Sequence, residues 1–227
     1  MEHDADKIIN QSIEVHGGNL YEQSHISFDF RKRHYTSNRN GGIFQYTRTF
    51  EDSSGTIEDV LTNEGFHRII NKKKVDLDPK KANAYANSVN SVLYFAQLPF
   101  GLKALSVIKK HISEVSIKGQ DYHKIQVTFK KERGGEDFED IFLYWINKES
   151  GMMDFLAYKY KTNGGGVRFR EAIDRQKVGG ILFANYINYK PSDKDIDFLS
   201  IDKLFNNNEL IELSRIINEG IKVKPAN

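Results

Sequence analysis

Hydrophobic and polar positions divide the chain into stretches of two different periods. Near the start, Ile8, Ile9, Ser12, Ile13 and His16 recur at three-to-four spacing, which predicts a helix over residues 4–17 capped by Asp4. Gly17-Gly18 supplies its stop, because glycine takes the left-handed backbone of a helix end without penalty. After Tyr21 the period falls to two. Ile26, Phe28 and Phe30 alternate with Ser27, Asp29 and Arg31, and Phe44, Tyr46, Arg48 and Phe50 share one side of the next alternation. Turn-forming clusters at 38–42, 53–55 and 63–65 separate four strands, a meander over 24–71.

The helical period returns with Ala82, Tyr85, Ala86, Val89, Val92, Leu93 and Ala96, behind Asp78 as cap and Pro79 in the first turn. This predicts a helical insertion over 79–103 that ends in the apolar loop Leu98-Pro99-Phe100-Gly101-Leu102, with a short helix or loop to His111. A second meander over 112–189 follows, with six strands near 112–118, 123–130, 138–147, 152–161, 167–174 and 181–189. Their turns, at 118–121, Arg133-Gly134-Gly135, 148–151, Asn163-Gly164-Gly165-Gly166 and 178–180, are rich in glycine and polar residues. C-terminal helices are expected over 200–219, around Ile201–Phe205 and Glu209–Ile217.

Hairpin-length connections exclude folds that alternate strand and helix. The expectation is a single domain over 1–227, mainly β with α: a strongly curved antiparallel sheet, an open half-barrel, with helices packed in its concave face. Ile141–Ile146 and Met152–Tyr158 are apolar on both faces, so both faces need a cover. The helix through Tyr85, Val89 and Val92 is the expected cover on one side.

Composition narrows the function more than the fold. With 39% hydrophobic and 12% aromatic residues the chain is globular. Its 33 basic and 31 acidic residues leave a net charge of +2, too small for a nucleic-acid binder. The short basic runs Arg31-Lys32-Arg33 and Lys72-Lys73-Lys74 read as solvated strand faces or hairpin ends. Cysteine is absent, which removes thiol catalysis and sulfur-ligated metals. No apolar run reaches the ~20 residues of a membrane-spanning helix.

Signatures of catalysis are missing. Val167-Arg168-Phe169-Arg170 after the triple glycine alternates as a strand, so the glycines form a turn and not a phosphate cradle. The seven histidines form no metal-ligand motif, and Gly-x-Ser-x-Gly does not occur. No catalytic residue, metal or cofactor is assigned. The polar residues that could work together are Asp29 with Arg31 and Arg33, His123, Asp154, Arg168 with Arg170, and Glu171. Two arginines on one strand face could grip an anion, or pair across strands with acids.

Helix, meander, inserted helices and long meander together resemble the lipoprotein-carrier (LolA/LolB-like) half-barrel, in which helices plug a curved sheet over an apolar cavity. Local wording resembles a family of envelope proteins and lipoproteins of unknown function from Bacteroidetes-type bacteria. The matching stretches are Ser27-Phe28-Asp29-Phe30-Arg31 with His34-Tyr35, Tyr122-His123-Lys124-Ile125, Tyr144-Trp145-Ile146-Asn147 with Met153-Asp154, and Arg168-Phe169-Arg170-Glu171-Ala172. The resemblance implies a periplasmic or envelope protein whose precursor carries a lipid anchor on a leader cysteine. This chain has neither leader nor cysteine, which removal of a leader from the mature domain would explain.

The leading reading is a non-enzymatic binder or carrier of an apolar or amphipathic ligand, such as a lipid, an acyl chain or a lipoprotein. Phe28, Phe30, Tyr46, Tyr85, Phe95, Phe100, Trp145 and Phe155 are the residues expected to line or cap its cavity. The second reading is an enzyme assembled from Asp29, Arg31, His123, Asp154, Arg168 and Glu171. The third is an interaction module of the envelope that docks through a sheet edge or the 98–102 loop.

Overall fold

The computed structural model describes residues 4–130, 140–161, 164–193 and 195–226. The expected turn at Arg133-Gly134-Gly135, the strand start at Phe138 and Asn163 of the triple-glycine turn lie outside the described residues. In chain order the elements are α1 (Ala5–His16), β1 (Ser24–Phe30), β2 (Arg33–Asn40), β3 (Ile43–Asp52), β4 (Gly55–Thr62), β5 (Gly65–Ile70), β6 (Lys73–Val75) and α2 (Pro79–Ala96). Then come β7 (Val107–Ile117), β8 (Gln120–Phe129), β9 (Ile141–Asn147), β10 (Met153–Tyr160), β11 (Gly166–Val178) and β12 (Ile181–Pro191), followed by α3 (Ile201–Asn206), β13 (Leu210–Ile216) and β14 (Glu219–Pro225).

The strands form two seven-stranded antiparallel sheets, neither closed nor strongly curled, in place of the single half-barrel sheet expected. One has the order β14-β1-β2-β3-β4-β5-β6 and the other β13-β12-β11-β10-β9-β8-β7. The chain divides into two compact units, each discontinuous in sequence. The first comprises residues 1–16, 99–175 and 184–216, and the second 17–98, 176–183 and 217–227.

In the first unit, β9 and β10 are the doubly apolar strands. Leu143, Trp145, Phe155, Ala157 and Phe169 pack with Phe198, Ile201 and Phe205. Their cover is therefore the 198–200 turn and α3, and not the helix at 79–96. The Phe205 ring stacks on Phe169 at 4.6 Å and meets Phe155 at 5.3 Å. A buried ion pair, Lys124 to Asp202 at 2.7 Å, ties α3 to β8 beneath the Trp145 ring. Tyr144 and Leu156 point to the opposite face by strand alternation. There α1 packs on β7, β9 and the 100–103 turn. Ile9 and Ile13 of α1 are buried, and Asp4 accepts from the Asp6 and Lys7 amides at its start. Phe100 and Leu102 are buried too, so this part of the loop read as a docking surface is core.

In the second unit, β1 to β6 follow one another by hairpins and α2 lies against β3, β4 and β5. Two strands here are invisible to turn-residue reading. Arg31-Lys32 and Asn71-Lys72 all have positive φ, the geometry of two-residue hairpin turns normally given to Asn and Gly. The first ends β1 and starts β2. Arg33 therefore shares a face with Phe30, and Asp29 faces the other way, opposite His34. Gly17 has a φ of 138°, strained for any side chain, and a Cβ there would press on Ile181 atoms 3.1–3.2 Å away.

The C-terminal segment corrects a further expectation. Residues 210–216 form β13 on β12, not a helix, and 219–225 form β14 on β1. Ladder hydrogen bonds to an otherwise open edge outweigh the modest helix propensity of Glu209–Ile217.

Phe205→Ala should destabilise the protein by about 3–5 kcal/mol in urea unfolding, with a red shift of Trp145 emission, because it opens the aromatic cluster around that ring. A second expectation concerns pH. Burial lowers the pKa of His16 below its ordinary 6.5, outweighing the hydrogen bond from its Nδ1 to the Ser12 carbonyl. Below 6.5 the unfolded chain takes up a proton that the folded chain does not, so stability falls as pH drops through that value. His16→Gln should flatten this limb in a series of Tm measurements across pH.

Candidate functional site

Alternation along five adjacent strands sets Phe28, Tyr35, Arg48, Asp59 and Arg68 opposite one another, in a row on one face of the second unit's sheet. Asp59 is fully buried, with Arg48 3% and Arg68 8% exposed. The Arg48 guanidinium donates to Asp59 Oδ2 from Nε at 2.9 Å and Nη2 at 2.5 Å. Arg68 donates from Nε to Oδ1 at 2.6 Å and from Nη2 to Oδ2 at 3.0 Å. Both carboxylate oxygens are thus satisfied by charge-assisted bonds, and two cations share one anion. Burial opposes the charge on Arg68, but the bond and field of Asp59 hold its pKa above the ordinary value.

This row holds the helix. Pro79 opens α2, and Asp78 accepts from the Lys80 and Lys81 amides. From the middle of α2, Ser88 Oγ accepts from Arg48 Nη1 at 2.8 Å, and the Tyr85 ring lies 3.7 Å from the Arg68 guanidinium. At the helix end, Ser37 Oγ donates to Gln97 Oε1 at 3.4 Å. Only Val89 and Leu93 of α2 are fully buried, so the helix sits on the sheet through a narrow stripe.

Beside that stripe is an open groove of about 530 Å³, between the first turns of α2 and the β4–β5 hairpin. Leu61, Phe66, Ala82 and Ala86 give it apolar walls, and Asn83, Asn87 and Asn90 a polar rim. Its size falls within the roughly 300–1,000 Å³ of small-molecule sites. The Phe66 ring lies 6.4 Å from Tyr85, linking the groove to the aromatic face.

Of the expected ligand-binding residues, Phe28, Phe30 and Tyr46 share that sheet face, and Tyr85 and Phe95 are half-buried on α2. Phe28 stacks on Tyr35 at 5.6 Å, and Phe30 lies 6.5 Å from the same ring. Burial raises the pKa of Tyr46, whose hydroxyl is bonded to Arg39. Phe100, Trp145 and Phe155 belong to the first unit, where Trp145 and Phe155 are part of a filled core.

The polar candidates do not meet. Asp29 bonds His34 at 2.7 Å on an exposed strand end, and Arg31 sits in the adjoining turn over Phe30. His123 lies 3.3 Å from His111 and 3.7 Å from Glu114. Asp154 holds Arg175 at 2.5 Å and accepts from the Tyr122 hydroxyl at 2.9 Å. Arg168 stacks over Tyr160, and Arg170 donates to the Tyr158 hydroxyl at 2.9 Å. Glu171 bonds Lys118 and Tyr189 and faces the opposite side of its sheet from Arg168 and Arg170. Among the described residues no group of three or more His, Asp or Glu is placed to hold a metal ion.

The residues that sequence reading passed over are Asp59, Arg68 and Phe66. Their signal was a charge at the inward position of three successive strands, Arg48, Asp59 and Arg68, each between apolar neighbours of the same parity. Strand alternation puts each charge on the same face as its apolar neighbours, and the register then makes the three charges neighbours.

Antiparallel sheets with covering helices, and a groove beside one helix, define a LolA-like fold. A LolA superfamily protein from Nitrosomonas europaea aligns over 99% of this chain and 96% of its own, with 9% identity and a TM-score of 0.55. A DUF1329 family protein from Desulfovibrio piger aligns over 97% of this chain and 93% of its own, with 9% identity and a TM-score of 0.52. The chain itself belongs to DUF6503, a family of unknown function, whose match spans residues 2–218. No curated protein matches it in sequence. No helix among the described residues is long and apolar enough to cross a membrane.

Replacing Asp59 by Asn leaves two buried guanidiniums without their carboxylate. It should lower the unfolding free energy by about 3–5 kcal/mol in urea titration, as for other broken buried ion pairs.

Proposed function

We propose that this protein binds and carries an apolar or amphipathic ligand, an acyl chain of a lipid or lipoprotein, in the cell envelope. The observation that carries the reading is the groove beside α2, with apolar walls from Leu61, Phe66, Ala82 and Ala86 and an asparagine rim. Such a groove takes a chain along its walls while the rim stays hydrated. The LolA-like fold, shared with a LolA superfamily protein, supports the same reading. Half-buried Tyr85, whose ring meets Phe66, extends the apolar surface beyond the groove.

Purified protein examined by native mass spectrometry, with extraction of bound lipid, should show an adduct of acyl-chain mass. Ala86→Trp fills the groove from the helix side. It should weaken binding of a fluorescent fatty acid by roughly tenfold, about 1.4 kcal/mol, with little change in Tm. No adduct, together with equal binding by the variant, would overturn the reading.

A further inference from the structure

Hairpins that follow one another return alternate turns to the same end of a sheet. The closing pairs Phe30–Arg33, Asp52–Gly55 and Ile70–Lys73 therefore lie at one end of the second unit's sheet. Contacts tie the three turns together. Asn71 accepts from the Thr56 amide and donates to the Ser54 carbonyl, and the Arg33 guanidinium lies 4.7 Å from the Phe50 ring. The two basic runs, 41 residues apart from Arg31 to Lys72, are thereby brought onto one rim.

Arg31, Lys32, Arg33, Lys72, Lys73 and Lys74 are all exposed there, and none is paired with a carboxylate among the described residues. The acids on the rim are Glu51 and Asp52 of the middle turn, with Asp52 engaged by Ser54, and half-buried Glu58, in the same cross-strand row as Ile69 and Lys74. Asp29, one step back on β1, holds His34 and stands opposite Glu219. Half-buried Phe30 and Phe50 lie under Arg31 and Arg33. Three strand spacings, about 14 Å, separate β2 from β5. That is more than the screening length of roughly 8–10 Å at ordinary salt, so one small anion cannot engage both clusters.

We infer that this rim is a docking surface for an anionic lipid bilayer. Two cation clusters on one line, with aromatic rings beneath them, match a flat field of headgroups above a chain region. They do not form the continuous basic stripe that tracks a nucleic-acid backbone. The inference is independent of the groove, which lies at the other end of the sheet, where the β4–β5 turn closes.

Co-sedimentation with phosphatidylcholine vesicles, with and without phosphatidylglycerol, tests it. Binding should require phosphatidylglycerol and fall with added salt. Each triple variant, R31Q/K32Q/R33Q or K72Q/K73Q/K74Q, should weaken it by at least about tenfold, since each removes three cations from the headgroup field. K80Q/K81Q, at the start of α2, should leave it unchanged. All six rim substitutions are of exposed residues, and circular dichroism checks their folding. Equal binding to both vesicle types, or equal loss in K80Q/K81Q, would overturn the assignment. So would tighter binding to a DNA duplex than to the anionic vesicles.

Discussion

A carboxylate buried between two guanidiniums does in the second unit what an apolar core does elsewhere. Asp59 is fully buried, and Arg48 and Arg68 between them donate to both of its oxygens. The pairing is directional, and it spans β3, β4 and β5. It fixes where α2 sits, because Ser88 accepts from the same Arg48 and Tyr85 covers the same Arg68. The groove beside α2 exists because the helix is held by these contacts and by only two fully buried apolar side chains. A wider apolar stripe would seal the helix to the sheet.

The first unit solves its packing differently. Its doubly apolar strands are covered on both faces, by Phe198, Ile201 and Phe205 on one and by α1 on the other. Trp145 and Phe155, which sequence alone offers as cavity residues, are closed in by this cover. An aromatic residue on a strand looks the same in sequence whether its neighbour is a ring or a ligand. The distinction rests on what the distant segment 198–205 does.

Much of the second unit's site can nonetheless be read from the chain. Period-two alternation puts Tyr46, Arg48 and Phe50 on one face, and helical period with Asp78 and Pro79 places α2. The pairing of Arg48 with Asp59 and Arg68 could not be read without register, since a slip of one residue would turn the row outward. The turns that set this register include Arg31-Lys32, two non-glycine residues with positive φ. Their composition fits a solvated strand face as well as a hairpin end, so β2 and the face of Arg33 stayed unassigned.

Local pattern by itself determined the strand-rich class, both meanders, the α1 and α2 helices and their caps, because these depend on side chains a few residues apart. It also located the basic runs without showing that they meet. Tertiary structure decided the division into two sheets, the conversion of 210–216 and 219–225 into edge strands, and the identity of each covering element. The reason is physical. An open ladder edge or an uncovered apolar face takes whichever segment the rest of the chain brings to it, and that partner lies tens of residues away.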